Sequence, residues 1–469
     1  MSRPQRALTY RAVLSLPGAL RSFTAASLGR LAYGTIGLSL LLVVHQATHS
    51  FAVAGTASGF YALGTLTGPA KSRLADRYGQ RRILPVLGAG SAAALVAMAV
   101  LDRAGDRSPA GYIVLAGLAG AAGPVLGAAM RALWAVIVSG PDSLRRAYGL
   151  DTATEEMLFT LGPLLAGALV ALNGPVLALA VTAVLLLTGS LALAASPAVA
   201  AHTVPDRRRH RLAGPLRRPG FPALLGVVLA TSLGLGAIDV TITARAVQDR
   251  NAAAAGYVLA ALGLGSACGG LLWGKLRPRT RTSTQMIGLL LVLAAGVAGS
   301  VITPDLLVLG VVMALVGTAV APVLVLSYLS ADRLYHQIGG SEATTWINTA
   351  ANAGTAVGYG LTGLAVDRIG SAPPMLAGAA VLLGTIVLVM AFRTAYDRTD
   401  DPSAARLGTD SACQLPVGLY QPEPTRRPRW APRNAPANTA VSRLVISGSG
   451  WVLWCTGGRR GPSSGRCRG

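Results

Sequence analysis

Charged residues are scarce in this chain. Asp, Glu, Lys and Arg make up 13% of its 469 residues, about half the share of an ordinary soluble protein. A water-exposed globular surface is thereby disfavoured. Cysteine is scarce as well: Cys268 lies in an apolar run, and Cys413, Cys455 and Cys467 are dispersed near the C-terminus. Neither a disulfide framework nor a thiolate metal site is expected from them. The five histidines show no ligand spacing, so no zinc centre is expected. There is no phosphate-binding loop of the form G-x-x-x-x-G-K-[ST], which argues against ATP as an energy source. The glycine-containing stretch at 233–237 sits inside an apolar run, not after a strand, and is no dinucleotide fingerprint. No cofactor and no enzyme activity are expected.

Apolar chain is what the sequence has instead. Hydrophobic residues make up 52% of it, with a mean hydropathy of +0.52. A helix crosses the hydrocarbon core with about 20 mainly apolar residues. That measure marks spans near 22–45, 52–71, 83–101, 110–132, 153–172 and 175–196. After a polar gap follow 221–243, 253–273, 284–302, 305–328, 343–366 and 374–392. The expectation is an all-α integral membrane protein of twelve spans. The basic N-terminus is read as no cleavable signal, because the next apolar run is long, holds Arg30 and lacks a small-residue cleavage site.

The net charge of +22 would suggest nucleic acid in a soluble protein, but its placement argues for orientation in a membrane. One set of loops holds Arg73, Arg77, Arg81 and Arg82, then Arg145 and Arg146, then Arg207, Arg208, Arg209, Arg211, Arg217 and Arg218, then Lys275, Arg277, Arg279 and Arg281. The alternate loops hold only Arg103, Arg107, Arg245, Arg250 and Arg368. Basic residues stay inside, so both termini are expected in the cytoplasm. No nucleic-acid partner is expected. The gap divides the chain into a first half at 1–196, a central cytoplasmic loop at 197–220, a second half at 221–393 and a disordered tail at 394–469. The turns SRLADRYGQRR and WGKLRPRTR follow the second and eighth spans, which suggests a parallel duplication.

The first of those turns carries Leu74, Ala75, Asp76, Arg77, Gly79 and Arg81. These positions match the pattern G-x-L-A-D-R-x-G-R-R/K between the second and third spans of the major facilitator superfamily. Ser72 stands where that pattern begins with Gly, and Gln80 replaces an Arg. The chain resembles this superfamily over residues 1 to about 393. The resemblance implies two six-helix bundles, and a latch at this turn that favours the outward-facing state. Read without it, Gly79 permits unusual backbone, and Asp76 can accept bonds from arginines or a helix N-terminus. A solvated turn that only orients the chain stays open as an alternative. In the fifth span, Gly162, Pro163 and Gly167 are similar to the G-P-x-x-G-G pattern of proton-coupled drug exporters, with Ala166 replacing a glycine. Pro163 is expected to bend the helix, and the small residues to admit a close neighbour.

Ionisable residues inside the spans each cost about 2.5–3.5 kcal/mol on insertion scales and need a partner or a role. Arg30 lies roughly 12 Å into the first span. Arg131, late in the fourth, and Glu155 and Glu156, early in the fifth, fall on the same side of the membrane. These four are the candidate proton-coupling group. Alternatively, Thr152 and Glu155 form a capping box, which leaves Glu156. Asp239 is read as interfacial, near the outer surface. In the eleventh span Thr345, Asn348, Asn352 and Thr355 share one helical face, with Asn352 about 15 Å along the axis. With Trp346, and Tyr33 of the first span, they form the candidate substrate cavity; interhelical hydrogen bonding is the alternative.

The expected function is proton-coupled efflux of a small amphipathic or drug-like molecule by a monomer in the plasma membrane, with lipid as its surroundings. Uptake of a small metabolite, or a non-transporting scaffold or receptor, stay as alternatives.

Overall fold

A computed structural model describes residues 10–138, 141–200, 220–275, 280–335 and 340–393, and the pairs 445–446 and 452–453. Residues up to Leu407 form one unit. Its path starts with α1 (Tyr10–Leu14), α2 (Ala19–Thr48), α3 (Phe51–Thr65), α4 (Gly68–Tyr78) and α5 (Gln80–Arg103). Then come α6 (Pro109–Ala122), α7 (Leu126–Ile137), α8 (Pro141–Ala194) and α9 (Pro197–Ala200). The second half holds α10 (Phe221–Gln248), α11 (Ala254–Lys275), α12 (Thr282–Ser300), α13 (Leu306–Gly317), α14 (Val320–Tyr335), α15 (Gly340–Ile369) and α16 (Ala372–Ala391). Nine helical stretches among the described residues are long and apolar enough to cross a membrane. One of them, Arg146–Ala194, has 49 residues, length enough for two crossings.

Local chemistry sets the ends and breaks of these helices. Ser50 caps α3 by accepting from the Val53 N–H at 3.2 Å. The second span breaks at 66–67 and resumes at Gly68, where Pro69 stands in the first turn, a position that needs no backbone donor. Gly79, at φ +87, joins α4 to α5, a conformation that a side chain would oppose. The fourth span breaks between α6 and α7, around Pro124. Inside α8, Asn173 and Gly174 leave helical geometry, with Gly174 at φ +79, just before Pro175. The chain stays helical through Pro163, and α8 begins at Pro141, not at residue 153. Thr152 is therefore interior to a helix, where it cannot serve as an N-cap.

Each half packs internally through small residues. Where α2 crosses α8, a Cβ on Gly34 would lie 2.5 Å from the Leu158 carbonyl oxygen. A Cβ on Gly162 would lie 2.7 Å from the Gly34 carbonyl oxygen. The second half repeats the device between α10 and α15, where Gly236 faces Thr355 and Gly354 faces Leu229. Lipid tails are as apolar as leucine, so close backbone approach, more than burial, draws such helices together. Outward-facing side chains fit the same picture. Ile302 is 86% and Leu172 77% exposed, which lipid satisfies and water would not.

The second unit, Gly408–Gly469, is described only at two short strands, β1 (Val445–Ile446) and β2 (Val452–Leu453). They pair antiparallel, Val445 with Leu453 and Ile446 with Val452, a pairing the expectation of a structureless tail did not include. The rest of 394–469, and the central loop at 201–219, lie outside the described residues.

Candidate functional site

Helices from both halves line a cavity of about 340 Å³. The first half contributes Tyr33 and Gly37 of α2, and Glu156, Phe159, Thr160 and Pro163 of α8. The second contributes Asp239 and Thr243 of α10, Leu259 and Ser266 of α11, Val320 of α14 and Tyr359 of α15. Tyr359 donates its hydroxyl to Asp239 Oδ2 at 2.9 Å. Tyr33 donates to the Pro124 carbonyl, which the break between α6 and α7 leaves without a helical donor. Two neighbouring carbonyls are also engaged by side chains: Gly120 accepts from the buried Lys71 Nζ at 3.1 Å, and Gly127 from Arg30 Nη2 at 3.2 Å. Ser91 Oγ donates to the Ala119 carbonyl at 2.8 Å and Thr67 Oγ1 to that of Ala121 at 3.3 Å, so five side chains of the described residues serve the broken span.

Beside the cavity lies a chain of charges. Arg30, 2% exposed, grips Asp151 with two bonds, Nη1 to Oδ1 at 2.8 Å and Nη2 to Oδ2 at 3.2 Å. Arg131 Nε lies 3.4 Å from the other side of the same carboxylate, and Arg131 also bonds to Glu155. Asp151 is fully buried and is the hub, joining α2, α7 and α8. Bidentate guanidinium–carboxylate geometry is the strongest form such a pair takes.

Away from the basic turns, the halves are fastened by one acid. Asp367, near the end of α15, accepts from Ser50 Oγ at 2.5 Å, the Phe51 N–H at 2.8 Å and the Ala52 N–H at 2.9 Å. These are the unpaired donors at the start of α3, where helix dipoles favour negative charge. Alongside, a Cβ on Gly59 would lie 2.8 Å from the Ala356 carbonyl, and Gly55 meets Tyr359 and Gly363 backbone. Gly167 likewise meets Gly256 of α11.

The residues expected from sequence divide accordingly. Arg30, Arg131 and Glu155 come together around Asp151, which the reading overlooked; Glu156 faces the cavity instead. Asp239, expected near the outer surface, lines the cavity and bonds Tyr359. Tyr33 is among the residues lining this cavity. Trp346, Asn348, Asn352 and Thr355 are not: Trp346 packs against the second half's apolar core, Asn348 accepts from Tyr328 at 2.7 Å, and Thr355 reaches the Ser232 carbonyl at 3.4 Å. The Thr345 side chain lies outside the described residues. At the motif turn, none of the ion pairs among the described residues includes Asp76. Leu74, Arg77 and Arg81 are exposed there, and Arg77 lies over the Tyr78 ring. Gly162, Pro163 and Gly167 sit where α8 touches α2 on one side and α11 on the other.

Two halves of long apolar helices that share a cavity define a multi-pass membrane protein. Sequence and structure comparisons narrow this. The family model described as Major Facilitator Superfamily matches residues 22–341, more than half the chain, and the chain belongs to that family. Membership points to a transporter and not to an enzyme. An uncharacterized MFS-type transporter, y4rN of Sinorhizobium fredii (strain NBRC 101917 / NGR234), is 32% identical over 181 residues, covering 38% of this chain and 44% of that relative. The chain's match therefore spans less than half of that relative's length. A point variant of the nucleoside transporter NupG shares the fold with TM-score 0.62 at 14% identity, over 80% of this chain and 99% of that one. The human organic anion transporter MFSD10 (TETRAN) shares it with TM-score 0.53 at 18% identity, over 79% and 98%.

Proposed function

We propose that this protein is a secondary transporter that carries a small molecule out across the plasma membrane in exchange for entering protons. It threads the membrane twelve times, with both termini in the cytoplasm, and works as a monomer. The observation that carries this reading is a single cavity walled by both halves, with a carboxylate from each, Glu156 and Asp239. Rocking of one half against the other would expose that cavity to each side in turn. Carboxylates that exchange a proton for another partner would link the two fluxes. The latch residues Asp76 and Arg77, which form no ion pair among the described residues, would engage in the opposite conformation, and the seams at Gly162, Pro163 and Gly167 would be the pivots. The fold shared with transporters of nucleosides and organic anions favours carriage of an organic solute, and a nucleoside transporter among them keeps uptake of a metabolite as the second reading.

Purified protein in sealed vesicles with an imposed pH gradient, screened across candidate solutes, tests the proposal. A solute should move against its own gradient as protons run the other way, and Glu156→Gln should abolish that accumulation. Co-directional movement would establish uptake; no movement of any solute would overturn transport itself.

Asp367 provides a second check. Asp367→Ala leaves three donors of α3 without their acceptor and should shift the equilibrium towards separation at that end by about 2 kcal/mol, on the order of thirtyfold. Spin labels at Arg107 and Ile302, in a cysteine-free background, should report a longer distance in the variant. An unchanged distance distribution would show that Asp367 is no gate.

A further inference from the structure

We propose that the cavity is built for an organic cation: a molecule with an ammonium-type centre on an aromatic or aliphatic body, held between Glu156 and Asp239. The proposal rests on the transporter reading and names its substrate class. Its ground is the charge of the wall. Among the described lining residues there are two carboxylates and no Lys, Arg or His, although basic residues outnumber acidic ones 41 to 19 in the chain. The nearest guanidinium groups are already committed: Arg30 to Asp151 and Gly127, Arg131 to Asp151 and Glu155. Each faces a carboxylate of its own.

The two acids come from opposite halves. Glu156 stands on α8 and Asp239 on α10, so a bound cation would meet an acid from each half. Asp239 uses Oδ2 for the Tyr359 hydroxyl, and its Oδ1 has no hydrogen-bond partner among the described residues. Tyr359 is thus a positioning residue that fixes which oxygen faces the cavity. Phe159, half-exposed on the cavity wall, and the rings of Tyr33 and Tyr359 add faces that attract a cation. A space of about 340 Å³ falls at the small end of the range for drug-sized ligands. An anion would meet two like charges there while the carboxylates are ionised, whereas a cation offsets the cost of burying them in that form.

Three probes of matched shape test this on the full chain in lipid nanodiscs: 4-phenylbenzyl-trimethylammonium, its neutral isostere with tert-butyl in place of the ammonium, and biphenyl sulfonate. Calorimetric titration should show the cation binding on the order of thirtyfold more tightly than either of the others. Glu156→Gln and Asp239→Asn should each reduce the cation's affinity by a similar factor without changing that of the neutral probe. Tyr359→Phe should produce a smaller loss of the same kind, and Asp102→Asn, away from the cavity, none. Should Asp239→Asn fail to fold, Glu156→Gln carries the comparison. Equal binding of the three probes, preference for the sulfonate, or cation binding that survives Glu156→Gln would overturn the proposal. The two readings fail separately: cation binding in nanodiscs without movement in vesicles would sink transport alone, whereas accumulation of a neutral or anionic solute would sink the cation site alone.

Discussion

Asp151→Ala is expected to cost the protein most of its folded stability. Arg30 is 2% exposed, and both of its bonds to a charged partner go to Asp151. Without that carboxylate the guanidinium keeps one carbonyl, Gly127, as its acceptor. Arg131 would retain Glu155. Removing one partner from a buried ion pair costs about 3–5 kcal/mol, a large part of the roughly 5–15 kcal/mol that holds a typical protein folded. Melting of the detergent-solubilised variant should fall steeply, or monodisperse protein should not be recovered. Arg30→Met with Asp151→Leu should regain much of the loss, because a packed apolar pair can replace a buried ionic one at little net cost. A single variant that melts like the parent would mean that water or a neighbouring group compensates for Arg30, and the hub would not be structural.

Gly162→Leu is expected to be as severe, for a steric reason. A Cβ there already falls 2.7 Å from the Gly34 carbonyl oxygen and closer still to its Cα, so even alanine forces backbone to move. Overpacking of this kind costs about 1–3 kcal/mol and sometimes more. Its consequence for function is larger than the energy suggests. Tyr33 and Glu156 flank this crossing on their two helices, so separating α2 from α8 displaces both from the cavity. Vesicle transport should be lost even where the variant still folds. Gly384→Leu, on α16 with nothing within 4 Å of its added Cβ, should behave like the parent in both melting and transport. If the two substitutions behave alike, the crossing is not tight in the protein.

Much of the fold could be read from the chain because lipid imposes a simple rule: each crossing needs a long apolar run. The ends were read less well, since helices continue through polar turns beyond the hydrocarbon. That single fact explains why Asp151 was overlooked. With α8 starting at Pro141, Asp151 is a helical residue one turn before Glu155, on the face that meets Arg30 and Arg131; Glu156 is rotated onto another face. The (i, i+4) relation of Asp151 to Glu155 was available as a signal. Likewise Tyr359 follows Thr355 by four residues, continuing the polar face already noted in that span. Asp239 was placed near a surface because its span was taken to end at residue 243, whereas α10 runs to Gln248. Nothing in the sequence announces Asp367. Two of its three partners are backbone groups, and all three lie more than three hundred positions away in the chain; contacts to backbone leave no pattern of residue types.

The seam between α3 and α15 has a consequence for how readily the protein can open there. Gly55, Gly59 and Gly363 put main chain against main chain, and beside them Phe51, Ala54 and Val366 are buried in one apolar cluster, so parting exposes peptide groups and apolar side chains together. Opening at that end therefore asks two things at once: release of Asp367 from the head of α3 and exposure of the apolar side chains the seam covers.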